Sequence, residues 1–347
     1  MSARRVTALF IAGLVIIIVA VWLSSTRQLE PVTGAGDLVL PGLQKALNSV
    51  SEVRLFKGDK SRTTLRQGTS GWTVSERGYP ADSGKVRKLL LDLASLQVVE
   101  EKTRTPANFP LLGVQDVSSP KSTGTQVDAI APGKTYSLIV GKTSGAKSEF
   151  VRVANSDQSL LATPAVSVET DPKHWLDQTL LDVQQERIRN FTIRPAGSRE
   201  YTGSRANKNQ RDFTVADLPK GRELANPTSA DPVAGSLGGL TLSDVQHAPA
   251  AAPDAKSLSH ATFRTFDGLQ IDLTGRKDGA RTLVSVAASS SDKSTQAQAQ
   301  AITARAQGWE YEIPSYKYDG IFQPLEDLLK KPEPAKKAQP KRTSAQH

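Results

Sequence analysis

Two Gly-Lys-Thr triplets, Gly133-Lys134-Thr135 and Gly141-Lys142-Thr143, stand eight residues apart in the stretch PGKTYSLIVGKTSG. A triplet of this kind closes a phosphate-binding loop, whose backbone N–H groups curl around the phosphates while the lysine meets their charge. The loop also needs a glycine five positions before the Gly of the triplet, and Asp128 and Tyr136 occupy those positions. A carboxylate opposes the anion and a bulky side chain opposes the tight turn, so no nucleotide is expected as a partner. The strand formers Thr135 to Val140, bracketed by Pro-Gly and Gly-Lys, predict a short strand between two turns.

The other residues capable of chemistry are scattered. None of the four histidines, His174, His247, His260 and His347, repeats a known metal-ligand spacing, although Asp171, His174 and Asp177 would share a face if their segment were helical. They could form a metal or acid-base cluster, but Asp171 before Pro172 reads better as the cap of a helix start. The serines of Ala288 to Ser294 lack the G-x-S-x-G elbow of a nucleophile and predict a loop. Glu100 with Glu101, and Glu326 with Asp327, are adjacent pairs whose side chains point apart on either regular element. Trp72, Phe213 and Trp309 read as core anchors in strands rather than as a ligand platform. No catalytic, cofactor-binding or metal residue is assigned, no cofactor is expected, and the chain reads as a non-enzyme. With no cysteine, disulfides and thiolate metal sites are excluded.

The elements around these residues begin with an anchor. Val6 to Leu23 is an uncharged run of 18 residues, about 27 Å long as a helix and just able to span a bilayer. Arg4 and Arg5 precede it with no matching basic cluster after it, so the N-terminus is expected in the cytoplasm and the body in the periplasm. Trp22 suits the outer interface. The run ends without a small-x-small cleavage site, which favours an uncleaved anchor in the inner membrane over a signal peptide. The formal net charge of +9 sits largely at the ends, leaving about +3 for the body and no basic stripe for nucleic acid.

After a stalk, residues 24–37, one pattern recurs. The first copy opens with VSEVRLFKG and the second with RIRNFTIRPAG. Each continues with a second strand, a third carrying an aromatic and a valine two apart (Trp72 with Val74, Phe213 with Val215), and a Pro-started segment. In the first copy Val86, Leu89, Leu90, Leu93 and Leu96 form a helical stripe with Asp82 or Ser83 as N-cap. The second copy's segment keeps Val233, Leu237 and Leu240 but carries Gly235, Gly238 and Gly239, predicting a weaker helix. TQVDAIA, KTYSLIVGK and EFVRVA then answer to ATFRTF, GLQIDLTG and RTLVSVAAS. The prediction is an α+β fold: a single N-terminal transmembrane helix followed by two tandem, similar antiparallel-sheet-plus-helix units, 38–185 and 186–330. A connector, DPKHWLDQTLLDV, places Trp175, Leu176, Leu180 and Leu181 at helical spacing. DKSTQAQAQAITARAQ predicts an exposed helix, and residues 331–347 a disordered basic tail that could bind anionic lipid or wall polymer or simply keep the end soluble.

Four blocks, PGLQKALNSVSEVRLF, GWTVSERGYPADSGKVRKLLLDLASLQVVEEKT with LLGVQD after it, HWLDQTLLDVQQERI and GWEYEIPSYKYDGIFQPLEDLL, together resemble the domain-of-unknown-function 4340 family over about residues 38–330. The resemblance implies a bacterial envelope protein with one N-terminal membrane segment, many relatives being encoded near ABC-transporter subunits of the gliding-motility kind. It carries over no catalytic residues. The glycine-rich second helix and the basic tail depart from the family pattern. The function expected is a membrane-anchored periplasmic accessory or interaction subunit whose partners are the inner membrane and ABC-transporter membrane subunits. The alternatives are a cell-wall or glycan binding module and an envelope hydrolase.

Overall fold

The computed structural model describes residues 34–331 apart from 120, 217 and 252. The anchor residues Arg4, Arg5, Val6, Trp22 and Leu23, most of the stalk and nearly all of the basic tail lie outside the described residues. Among the described residues no helix is long and apolar enough to cross a membrane. The fold is α+β: antiparallel sheets with a few helices, in two compact units that divide between Trp175 and Leu176.

The first unit contains β1 (Glu52–Lys57), β2 (Arg62–Gly68), β3 (Gly71–Val74), β4 (Tyr79–Pro80), helix α1 (Ser83–Ser95), β5 (Gln97–Glu101), β6 (Thr125–Ala131), β7 (Lys134–Ser144), β8 (Ser148–Val153) and β9 (Ser159–Thr163). They form one sheet in the order β4-β3-β2-β1-β6-β7-β8-β9-β5. Alternation sets its faces: Val53 and Leu55 of β1, Thr63 and Leu65 of β2, and Val127 and Ala129 of β6 are buried on one side. Helix α1 starts where the Asp82 carboxylate accepts the N–H groups of Gly84 (2.9 Å) and Lys85 (3.1 Å), meeting donors that a first turn leaves unpaired. Its stripe Val86, Leu89, Leu90 and Leu93 is buried, each large side chain contributing about 2 kcal/mol by leaving water. Edge strand β5 is covered by the incoming chain: Gly36 N–H donates to Val98 O and Val98 N–H to Asp37 O, both at 2.9 Å.

The two Gly-Lys-Thr triplets resolve differently from each other. Gly133, at φ 73°, makes the β6–β7 turn. The second triplet is no turn, because β7 runs on to Ser144 with a register shift between Val140 and Thr143. A Cβ on Gly141 would lie 2.4 Å from Leu112 O and 2.7 Å from Val114 Cγ1, so a crossing segment requires glycine there. Gly141→Ala is expected to lower stability by about 2 kcal/mol through overpacking, measurable as a fall in the urea midpoint; an unchanged midpoint would mean the crossing segment yields freely.

The second unit contains β10 (Thr179–Leu181), β11 (Ile188–Arg194), β12 (Tyr201–Ser204), β13 (Thr214–Val215), β14 (Leu240–Thr241), β15 (Asp244–His247), β16 (Ser259–Thr265), β17 (Leu269–Asp278), β18 (Arg281–Ser290), helix α2 (Lys293–Ala306) and β19 (Trp309–Glu312). Its main sheet runs β13-β12-β11-β16-β17-β18-β19-β15, and β10 pairs with β14. Phe191 sits at its core, with the rings of Phe213 at 5.5 Å, Phe263 at 6.1 Å and Tyr201 at 6.2 Å. Helix α2 packs on β18 through Thr295, Ala299 and Ala306, with Asp292 as its N-cap.

Two expected helices are replaced. The connector forms only a 3-10 turn, Pro172–Trp175, and then strand β10, because Asp177 Oδ1 accepts the Thr179 N–H at 3.2 Å and draws the chain out of helical geometry. The glycine-rich segment of the second unit makes one α-turn, Asp231–Ala234, and one 3-10 turn, Gly235–Leu237, as the entropy cost of its glycines predicts.

Candidate functional site

Among the described residues, which do not include His347, the chemically suggestive residues of the sequence are not gathered together. Asp171 accepts the Lys173 N–H at 2.9 Å, in keeping with a capping role, while Asp177 is ion-paired with Arg305 at 3.1 Å. His174 stands edge-on to the buried Trp175 ring, 5.2 Å away. Ala288 to Ser290 end β18 rather than forming a loop, and the Ser290 hydroxyl lies 2.6 Å from that of Thr295. Glu100 and Glu101 pair with Lys102 and Arg104, and Glu326 and Asp327 lie exposed in a short terminal helix. Phe213 is a core anchor. Trp72 and Trp309 are only half-buried, each on a strand one in from the edge of its sheet. Trp309 stacks on His247 at 4.1 Å, and Trp72 lines a hollow with Leu47, Leu90 and the exposed Leu91. His260 lies 3.4 Å from the Thr274 hydroxyl, and burial, aided by the Arg194 charge, holds its pKa below the ordinary value. Among the described residues no group of three or more His, Asp or Glu side chains is placed to hold a metal ion.

What the structure does gather is the outward face of β1, β2 and β6. Register sets Glu52, Arg54 and Phe56 of β1 against Arg66, Thr64 and Arg62 of β2, and against Ile130, Asp128 and Gln126 of β6. These are the residues that alternate with the buried set, so they share the opposite face. Farther across the same sheet Gln126 is paired with Ile139 and Ile139 with Arg152. There the face is covered: Phe109 and Val114 pack on Ile139, joined by Leu112 and Phe150. Arg152, buried to 2% exposure, ties that cover down, donating to Val114 O at 2.7 Å, Ser156 O at 2.8 Å and Asp116 Oδ1 at 2.5 Å. Over β1 and β2 the face stays open as a concavity of about 1010 Å³.

This open face is polar and internally organised. The Glu52 carboxylate accepts from both Arg54 and Arg66, the latter at 3.0 Å. Partial burial pulls its pKa up, but the two guanidinium groups outweigh that and hold it below the ordinary carboxylate value. Gln126 Nε2 donates to Asp128 at 2.9 Å, and the Thr64 N–H donates to Glu76 at 2.9 Å. Lys60 and Arg62 are exposed and carry no ion pair among the described residues. Phe56 lies half-buried beside Arg62. Such a surface can bind a ligand through charge and planar hydrogen bonds. Sequence alternation in EVRLFK marked these residues as outward-facing; that the face is left uncovered was not legible, because it depends on where the 102–124 connection crosses.

The molecule is thus an antiparallel α+β protein whose candidate site is an open sheet face. The chain belongs to the family described as domain of unknown function (DUF4340), whose model matches residues 72–261. No curated protein and no solved structure matches it.

Proposed function

We propose that the protein is held in the bacterial inner membrane by Val6–Leu23, with its N-terminus in the cytoplasm and its body in the periplasm, and acts there as a non-catalytic accessory subunit of an ABC-transporter-type complex. The observation that carries this reading is the uncharged run of 18 residues behind Arg4 and Arg5, placed ahead of a polar folded body. Further support comes from strand order: β3-β2-β1-β6-β7-β8-β9-β5 is answered strand for strand by β13-β12-β11-β16-β17-β18-β19-β15. On this reading the units are copies of one ancestral module that has diverged where α1 stands, the second unit having single turns at Asp231–Leu237 in its place and the long helix α2 elsewhere. Duplicated sheets enlarge a binding surface without adding chemistry, which suits an interaction subunit.

Affinity purification of the tagged full-length protein from membranes in a gentle detergent, with mass spectrometry of what accompanies it, is expected to recover ABC-transporter membrane subunits. A protein recovered without partners would count against the accessory role. The glycan-binding alternative is favoured by one particular observation, the open face of the first sheet. No observation favours a hydrolase.

A further inference from the structure

From the chemistry of the open face over β1, β2 and β6, we infer that it binds an acidic glycan strand, a polyhydroxylated chain carrying a carboxylate on some of its sugars. Five cationic side chains and three carboxylates line the concavity. That balance favours an anionic ligand but disfavours a dense polyanion, which would be repelled by Glu52, Glu76 and Asp128. The positive excess is also localised. Arg54 and Arg66 share the one carboxylate of Glu52, whereas Lys60 and Arg62 are exposed without an ion pair among the described residues. Lys60 stands at φ 72° in the β1–β2 turn, beside the strand end that carries Arg62.

The remaining groups fit sugar hydroxyls. The Glu52–Arg54–Arg66 cluster and the Gln126–Asp128 pair are planar, held in place by their own hydrogen bonds, and present donors and acceptors side by side. Preorganised groups lose little freedom on binding. Phe56, between Arg62 and Gln126 in register, offers a half-buried ring on which the C–H face of a sugar can rest. A protein partner fits less well, because the core of a protein interface is enriched in aromatic residues and depleted in Lys, Glu and Asp, and this face has Phe56 as its single aromatic among the lining residues.

The inference rests on the proposed envelope location but not on an ABC partner. It is tested on the full-length protein purified in detergent, by isothermal titration calorimetry with three probes: a hyaluronan octasaccharide, a neutral chitin oligosaccharide of the same length, and polyglutamate. Saturable binding of hyaluronan is expected, at least tenfold tighter than either other probe, and at least tenfold weaker in Arg62→Glu and in Phe56→Ala. Arg62→Glu lies on the surface and should melt as the parent does, so its result stands even if Phe56→Ala is less stable. No saturable hyaluronan binding, binding untouched by Arg62→Glu, or equal binding of polyglutamate would each overturn the inference. None of these outcomes bears on membrane topology or co-purification, so failure here and failure of the accessory reading are separable.

Discussion

Replacing Arg205 by alanine is expected to lower the stability of the second unit by at least about 3 kcal/mol, among the larger single-residue effects. Arg205 is 5% exposed and, among the described residues, is paired with no carboxylate; its guanidinium donates to four backbone carbonyls, those of Ile188 (2.7 Å), Gln185 (2.8 Å), Glu186 (2.5 Å) and Gln210 (3.1 Å). It lies over the rings of Phe213 and Phe266, 5.0 and 5.4 Å from their centroids. Truncation strands buried acceptors and opens a void beside the aromatic core, and hydrogen bonds to a charged group are each worth about 1.5–3 kcal/mol. Lysine should not rescue the loss, because one ammonium cannot reproduce a planar fork reaching several carbonyls. Scanning calorimetry checks this: a unit of this size should melt roughly 6–12 °C lower. A change under about 1 kcal/mol would show that the carbonyls find other donors.

The second large effect is a pH dependence centred on Glu149. This carboxylate is 2% exposed on β8 and accepts the Val166 N–H at 2.8 Å; among the described residues no cation is paired with it. Burial, offset in part by that hydrogen bond and reinforced by the charge of Asp92, pushes its pKa from 4.5 up to about 7. The folded protein therefore holds a proton that the unfolded chain has already released. Stability is highest below the unfolded pKa and falls as pH rises through the folded one. From pH 4 to pH 8 the loss from this group is about 3 kcal/mol. Glu149→Gln removes the titration, so the variant should gain on the parent across that range by the same amount, whatever its offset at pH 4. Urea unfolding of both proteins at several pH values measures the difference; parallel curves would mean that Glu149 stays ionised in the fold.

Helix α1 was legible because Asp82 and a stripe of leucines agree on one element, local capping and periodicity pointing the same way. Strand β6 likewise reads directly as alternation, its seven residues buried at every second position. The connector from Asp171 misled, since leucines at helical spacing also fit a turn followed by a strand, and the decision fell to an aspartate bonding its own backbone. Nothing in EFVRVA marks Glu149 or Arg152 as buried. Both are buried, one on each face of the sheet, because both faces are covered at that point.

By itself the sequence determined the antiparallel α+β class, the uncharged run at the N-terminus, the lack of glycine five positions before each Gly-Lys-Thr triplet, and the alternation that sets the faces of regular strands such as β6. All of these depend on interactions within a few residues: sterics, capping, alternation and chain polarity. Tertiary structure decided which faces are covered. It laid Phe109 and Val114 over Ile139 while leaving Phe56, Arg54 and Arg62 open, and it buried Arg205 among carbonyls at sequence separations of up to 20 residues. Coverage is set by the packing of distant segments, and no local pattern in the strand records what will lie above it.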